Sequence, residues 1–355
     1  MTSNVKFSIV IAAYNNTKTI NRCLDSIYRQ SYTNYEVILS DDCSPDVDYT
    51  YLKEKYENLK ILRLPKNSGA GPARQYGIDN GATGDWLLFV DQDDELYNRH
   101  ALLYIYKLVR RYPNSSIIRG NYTYVDNIEN SQSTMDHGDS DIRPLHATAF
   151  NVSFMRKYNI RFHDSLRYNE DVYFNILFRL MTKYKHDKKE KGLICCNDII
   201  YRQHKTNDSI TQKKYNGQNY FEGIYYDQVN LYIFLFDNLV DIIDETDKIH
   251  ILLTPIFFAM VIYRDIYVNI DNIGKEIIDE YTKNLTKIID KFKNEFHLES
   301  TSDIRDIIYK IYNKSSNQSI QIQSPVVYNK TEDFLKVFDK IESLYTEYKG
   351  VSYND

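Results

Sequence analysis

"LLFVDQDDELY", residues 87–97, joins an apolar strand pattern to a cluster of acids. The apolar run ends at Asp91, and Asp93, Asp94 and Glu95 follow closely. Like charges at this spacing repel each other, and burying a carboxylate without a partner is costly. The stretch therefore indicates a binding site at the end of a buried strand.

Strand and helix patterns alternate around this stretch. The strand patterns cover residues 7–14, 35–42, 59–64 and 85–92, and the helix patterns cover 17–30, 48–58 and 100–112. Residues 67–84 have the pattern of a glycine-bearing loop that runs into a helix. Such alternation predicts an α/β fold, with a mostly parallel sheet flanked by helices. Ligands of these sheets bind beyond the carboxyl ends of the strands. We therefore expect the acids at 41–42 and 91–94 to share one cleft.

The pattern of the chain changes after about residue 213. Before it, two further strands and one helix are expected at 115–126, 193–204 and 170–184. After it, residues 220–244 and 275–296 have helical periodicity with charges on the opposite face. We predict an α/β domain that carries the ligand site over 1–214 and a helical domain over 215–355.

Composition excludes some classes of partner. The 355 residues are 43% hydrophobic, and the net charge of −5 comes without a long basic tract, so nucleic acid is not expected as a partner. The four cysteines have no zinc-site spacing, which favours reduced thiols and a cytoplasmic protein.

The longest apolar stretch, residues 251–263, is too short to span a bilayer, and Pro255 interrupts it. We expect a buried helix there and no transmembrane segment. Shallow peripheral contact with the inner face of a membrane is the alternative.

Clustered acids at a strand end are typical ligands of a hard divalent cation. The nearby loop 65–77 is not a dinucleotide fingerprint, because Arg74 stands where the third glycine is required. A turn, a helix N-terminus and an arginine are nevertheless suited to a pyrophosphate. An ordinary helix start is the alternative interpretation.

Five segments together carry a family resemblance: SIVIAAYNN, VILSDDCSPD, NSGAGPARQYGI, GDWLLFVDQDD and YNEDVYF. In this order they resemble the family-2 glycosyltransferases of the GT-A fold, over about residues 5–212. The resemblance implies an inverting enzyme that uses a nucleotide sugar, often a UDP-sugar, with Mn²⁺ or Mg²⁺.

The resemblance also implies roles for individual residues. The donor-binding residues are Ala12, Ala13, Tyr14 and Asn15 around the nucleobase, Asp41 on the base, Asn67 and Arg74 at the nucleotide, and Asp91 and Asp94 at the ribose or donor sugar. Asp93 is the expected metal ligand. Glu95 is expected only to begin the next turn, and Asp46 and Asp48 to be turn residues or caps.

The general base is expected at the start of the helix that follows Asn169. The resemblance implies Asp171 as the base that takes the acceptor proton, with Glu170 as the fallback. The alternative is that Asn169 caps this helix and both acids only favour its N-terminus.

Segment 201–211 resembles a lid that closes over the diphosphate. It suggests Arg202 as a phosphate contact and His204 as a metal ligand or phosphate donor, although a lone histidine is as often structural. The segment lacks the Gln-x-x-Arg-Trp pattern of processive members of the family.

The resemblance is greatest to bacterial enzymes that decorate surface glycans, teichoic acids or serine-rich adhesins, which implies a glycan or glycosylated protein as the acceptor. The helical domain is expected to bind that acceptor or to mediate homo-oligomerisation. One alternative is a catalytically inactive subunit that stabilises a partner. Another is a sugar nucleotidyltransferase, which "AAYNN" (12–16) disfavours because it is not a glycine-rich loop.

Overall fold

A computed structural model describes residues 4–126, 131–135, 145–205, 219–256, 275–301 and 303–304. The chain divides into two compact units, Met1–Tyr215 and Asn216–Asp355. The end of the expected lid, the domain boundary and the second half of the apolar stretch 251–263 lie outside the described residues. The roles expected of the two domains stay predictions.

The first unit is built on one nine-stranded sheet. Its strands are β1 (Phe7–Ala13), β2 (Tyr35–Asp41), β3 (Lys60–Arg63), β4 (Trp86–Phe89), β5 (Glu95–Leu96), β6 (Ile117–Asp126), β7 (Ser131–Met135), β8 (Thr148–Asn151) and β9 (Leu193–Lys205). The strand order is β3-β2-β1-β4-β8-β6-β9-β5, and β7 pairs with β6.

The α/β prediction is confirmed, and the sheet has two parts. Strands β3, β2, β1 and β4 pair in parallel, as the alternating pattern predicts. The short strand β8 then pairs antiparallel with both β4 and β6. Beyond β4 the sheet is therefore mixed rather than mostly parallel.

Helices cover the sheet in the first unit and form the second. Among the described residues, seven α-helices have defined bounds: α1 (Ile20–Tyr28), α2 (Ala70–Gly81), α3 (Ala101–Arg111), α4 (Val152–Lys157), α5 (Glu170–Lys185), α6 (Asn219–Leu239) and α7 (Lys275–Glu295). Residues 245–256 are also helical. Where a helix was expected at 48–58, a shorter 3-10 helix, Tyr49–Glu54, forms. Asp48 caps it through the N–H of Thr50, and Asn58 then turns left-handed with φ 60°.

In the second unit, α6 and α7 pack against each other. Their contact buries apolar side chains such as Leu235 and Ile288. Residues 251–256 are helical and mostly buried, as expected. Among the described residues, no helix combines the length and apolar character needed to cross a bilayer.

Candidate active site

The acidic loop, residues 90–94, follows β4 and leads into β5. The side chain of Asp91 is 42% exposed. Asp93 is half-buried and Asp94 is buried. One short loop thus presents three carboxylates in three different environments.

Asp93 is the acid in this loop whose charge is least compensated. Burial raises its pKa to about 6, and the negative charge of Asp91 adds to the effect. Arg22 donates to the backbone carbonyl of Asp93. Within the part of the chain that the structure describes, no cationic side chain forms an ion pair with the Asp93 carboxylate.

Asp94 faces the protein interior. One oxygen accepts a hydrogen bond from the Tyr201 hydroxyl at 2.8 Å, and the other accepts from the backbone N–H of His204 at 2.8 Å. The Tyr201 hydroxyl also accepts from the N–H of Asp91 at 3.0 Å. This geometry favours a role for Asp94 in holding β9 against the loop, rather than the donor-sugar contact expected of it.

Glu95 does more than begin a turn, so that expectation is wrong. It pairs with Arg202 in the antiparallel β5–β9 ladder. Its Oε2 lies 3.0 Å from Nε2 of His204 and 3.3 Å from Nη1 of Arg202. Burial alone would raise the pKa of Glu95, but the hydrogen bond with His204 and the charge of Arg202 lower it. Glu95 therefore fixes both basic residues beside the acidic loop.

The expected nucleobase side lies at the ends of β1 and β2. Ala13 is paired in register with Asp41. Asp41 is buried and accepts from Ser44 and Arg63. Its carboxylate is therefore already well paired.

The two residues after β1 turn the chain at this edge. Tyr14 is 43% exposed, and its N–H donates to Oε1 of Gln92 at 3.0 Å. Asn15 has φ 46°, and its N–H donates to the Ser44 hydroxyl at 2.9 Å. The nucleobase segment is thus tied to the acidic loop through Gln92.

Asp42 was expected in the cleft without a role of its own, and the structure shows what its carboxylate binds. Its two oxygens accept from the N–H groups of Ser68 and Gly69 at 2.7 and 2.8 Å. Its backbone carbonyl lies 3.3 Å from Nδ2 of Asn67. Asp42 therefore shapes the loop that leads into α2. In the sequence, Asp42 is a second acid close to the end of β2. Acids are common in turns, so its position alone did not indicate a role.

Arg74 connects the acidic loop with α5. Its Nη2 lies 2.7 Å from Asp91 Oδ1, and its Nη1 lies 2.9 Å from Glu170 Oε1. Burial would lower the pKa of this guanidinium, but the charges of Asp91 and Glu170 raise it, so it stays charged. The two donor edges thus bind carboxylates from both halves of the site.

Asp171 lies half-buried in the first turn of α5. Burial raises its pKa to about 7, and the charge of Glu170 adds to the rise while Arg74 opposes it. Asn169 occupies the N-cap position at φ 58° without a side-chain cap bond, so the capping role considered for it is not observed. Asp171 is therefore poised to exchange a proton near neutral pH.

The residues fit a divalent cation that binds together with a ligand. Among described residues, no three His, Cys, Asp or Glu side chains converge on a metal position. Small hard cations, however, are often held by one or two carboxylates and substrate phosphates. Asp93, the least compensated acid of the loop, suits that arrangement, and His204, which lies close enough to act on it, is a second candidate ligand.

Sequence comparison identifies the first unit. Residues 8–181 match the family described as Glycosyl transferase family 2. The amylovoran biosynthesis glycosyltransferase AmsB of Erwinia amylovora is 45% identical over 98 residues, which cover 26% of this chain and 32% of AmsB. Poly(ribitol-phosphate) beta-N-acetylglucosaminyltransferase TarS of Staphylococcus aureus is 40% identical over 96 residues, or 25% and 16% of the two chains. The matches thus span a third or less of these relatives.

Structural comparison supports the same fold. The crystal structure of S. aureus TarS 1-349 in complex with UDP-GlcNAc has a TM-score of 0.62 at 21% identity, covering 80% of each chain. The corresponding complex with UDP has a TM-score of 0.63 at 19% identity, covering 97% of this chain and 91% of the other. This similarity shows a shared fold, and the family match assigns residues 8–181 to a domain of glycosyltransferase family 2.

Proposed function

We propose that this protein is an inverting glycosyltransferase. It moves a hexose or N-acetylhexosamine from a UDP-sugar to a hydroxyl of a glycan or glycoprotein acceptor. The observation that carries the proposal is the Arg74 bridge, which joins Asp91 of the acidic loop to Glu170, the neighbour of Asp171. The pKa of Asp171, about 7, suits a general base. The UDP-GlcNAc complex of TarS supports the choice of donor.

The donor would lie along the carboxyl ends of β1, β2 and β4. The segment 12–15 and Asn67 line the nucleotide side, with Asp41 at the base. Asp91 is favoured over Asp94 for the ribose or donor sugar. Its side chain is 42% exposed and only its Oδ1 is bound by Arg74, whereas both oxygens of Asp94 are already bonded. Arg202, next to the acidic loop, would contact the diphosphate.

Asp171 would accept the proton of the acceptor hydroxyl as its oxygen attacks the anomeric carbon. Inversion follows because attack comes from the side opposite the leaving nucleotide. Asp93, with His204 as a second ligand, would hold Mn²⁺ or Mg²⁺. A cation held there supplies positive charge that stabilises the departing diphosphate.

The helical unit is proposed to bind the acceptor or to mediate self-association. A cytoplasmic location, where nucleotide sugars are made, is part of the same proposal. Among alternatives, an inactive stabilising subunit would bind a UDP-sugar without turning it over. The acids Asp91, Asp93 and Asp171 favour the enzyme.

The test measures hydrolysis and binding of four UDP-sugars with and without Mn²⁺: UDP-glucose, UDP-galactose, UDP-N-acetylglucosamine and UDP-N-acetylgalactosamine. We expect one donor to be hydrolysed in a Mn²⁺-dependent way. Asp93→Asn should abolish this activity, and full activity in that variant would exclude the metal assignment. Binding without hydrolysis in the wild type would instead favour the inactive subunit.

A further inference from the structure

The guanidinium of Arg74 joins residues that lie far apart in the sequence. Its partner Glu170 is 96 positions away, and its partner Asp91 is 17 positions away. The side chain of Arg74 is only 9% exposed, and that of Glu170 is 11% exposed. Both are therefore held in a protein environment in which a lost charge partner is costly.

The backbone at Gly71 allows α2 and the start of α5 to approach closely. A Cβ atom at this position would lie 2.8 Å from Cγ and 2.9 Å from Cβ of Glu170. The Glu170 side chain thus packs directly against Gly71, and its carboxylate reaches Arg74. A glycine here serves close approach rather than an unusual backbone angle.

An aromatic side chain supports the same arrangement. The guanidinium carbon of Arg74 lies 5.9 Å from the centre of the Phe162 ring. Phe162 in turn stacks on Phe174 of α5, with ring centres 4.3 Å apart and an interplanar angle of 12°. Arg74 is therefore fixed by two carboxylates and a ring, which leaves it little freedom to turn.

We propose that Arg74 and Glu170 are positioning residues that lock α5 onto α2 and the acidic loop, so that Asp171 alone acts as the base. The inference rests on the proposed transfer reaction and deepens it. It assigns to Glu170 a role other than the fallback base. It also assigns Arg74 to the protein's own carboxylates rather than to the nucleotide.

The chemistry of the two neighbouring acids follows from this division. One oxygen of Glu170 is bound to the guanidinium of Arg74 at 2.9 Å, which ties this side chain to α2. The charged groups that act on Asp171 are Glu170, Arg74 and Asp91. Replacing Glu170 by neutral glutamine keeps an oxygen for Arg74 and removes a charge that raises the pKa of Asp171.

The first experiment compares Glu170→Gln with Asp171→Asn, using hydrolysis of UDP-N-acetylglucosamine across pH 5–9 and UDP binding by calorimetry. We expect Glu170→Gln to keep at least about a tenth of kcat. The pH below which kcat falls on the acid side should move to a lower value. Asp171→Asn should lower kcat by about 100-fold or more. Equal losses in the two variants, or an unmoved limb, would overturn the proposal.

The second experiment separates the bridge from the charge at Arg74. We expect both Arg74→Gln and Arg74→Lys to lower kcat about tenfold or more, because lysine is a point charge that cannot span both acids. UDP affinity should change less than about threefold. Wild-type kcat in Arg74→Lys, or a large loss of UDP affinity in both variants, would overturn the proposal.

The matched control is Arg161→Gln. It breaks another arginine–carboxylate pair, in which the carboxylate, Asp79, belongs to α2. Arg161 binds both oxygens of Asp79, at 3.1 and 2.7 Å, on the surface of the same helix. It should leave kcat and its pH profile unchanged, and a loss equal to that of Arg74→Gln would overturn the proposal. A wild type that neither binds UDP nor hydrolyses any of the four donors would overturn the proposed function and this inference with it.

Discussion

Tyr201 donates a hydrogen bond to Asp94 across 107 positions of the chain. The same hydroxyl accepts from the backbone N–H of Asp91. Burial and the nearby acids raise the pKa of Tyr201 well above its usual value, so the hydroxyl keeps its proton. One side chain on β9 therefore bonds to two positions of the acidic loop.

Tyr201→Phe should expose the dependence of the loop on this hydroxyl. The change leaves Asp94 without one partner in a buried setting and the N–H of Asp91 without one in a partly buried setting. We expect unfolding free energy, measured by urea denaturation, to fall by about 1–3 kcal/mol. Tyr28→Phe, which removes an exposed bond to the Glu57 carbonyl, is the control and should cost less. Equal costs for the two variants would contradict the assignment.

Asp171→Asn should make the protein more stable at alkaline pH while removing activity. The pKa of Asp171, about 7 in the folded state, lies above its ordinary value of 3.8. Folding therefore favours the protonated acid, and stability is lost as pH rises from about 4 through 7. The asparagine variant avoids that loss. The partly open site reduces the expected gain at pH 8 to about 1–2 kcal/mol, with none at pH 3.

Denaturation at both pH values, without nucleotide, measures this difference. Asp25→Asn is the control of opposite sign. Burial would raise the pKa of Asp25, but the hydrogen bonds from Lys55 and Tyr56 lower it. That variant should lose stability at pH 8. A gain from Asp171→Asn that is the same at pH 3 and pH 8 would contradict the ionisation argument.

Much of the parallel half of the sheet was predictable from local sequence. The apolar patterns at 7–14 and 35–42 became β1 and β2, because strands buried on both faces need continuous apolar runs. The two-residue strand β5 and the four-residue strand β8 were not predicted. Such short segments carry no periodicity, and their partners lie far along the chain.

The candidate site shows the same limit. Residue types placed the acids at the strand ends, and the family resemblance supplied roles. Neither could show that Glu95 binds His204, since those residues are 109 positions apart. The pairing of Arg74 with Glu170 was hidden for the same reason. Partner choice depends on topology, which a pattern of single residues does not encode.

Asp42→Ala should loosen the loop before α2. The change removes the acceptor of two backbone N–H groups, those of Ser68 and Gly69. We expect both amides to exchange with solvent at least about tenfold faster in hydrogen-exchange measurements, which corresponds to about 1.4 kcal/mol. UDP affinity should fall as well, because the loop lines the proposed nucleotide site.

Asp48→Ala is the control for this effect. Asp48 accepts from the N–H of Thr50 at 2.9 Å at the start of the 3-10 helix. Its loss should speed exchange near Thr50 and leave Ser68 and Gly69 unchanged. Unaltered exchange at Ser68 and Gly69 in Asp42→Ala would show that the carboxylate does not hold the loop.

Gly71→Ala should slow hydrolysis of a UDP-sugar without altering any charged group. The added Cβ would meet Glu170 at 2.8–2.9 Å, so Glu170 and the start of α5 must shift. Alanine is favoured over glycine in a helix by about 1 kcal/mol, which offsets part of the overpacking cost. We therefore expect kcat to fall about tenfold while the unfolding free energy changes by less than about 2 kcal/mol.

Gly192→Ala, which would crowd Thr182 and His186 near the other end of α5, is the matched control. It should lower stability and leave kcat near the wild-type value, whereas equal kcat losses would mean that α5 responds to crowding anywhere along its length.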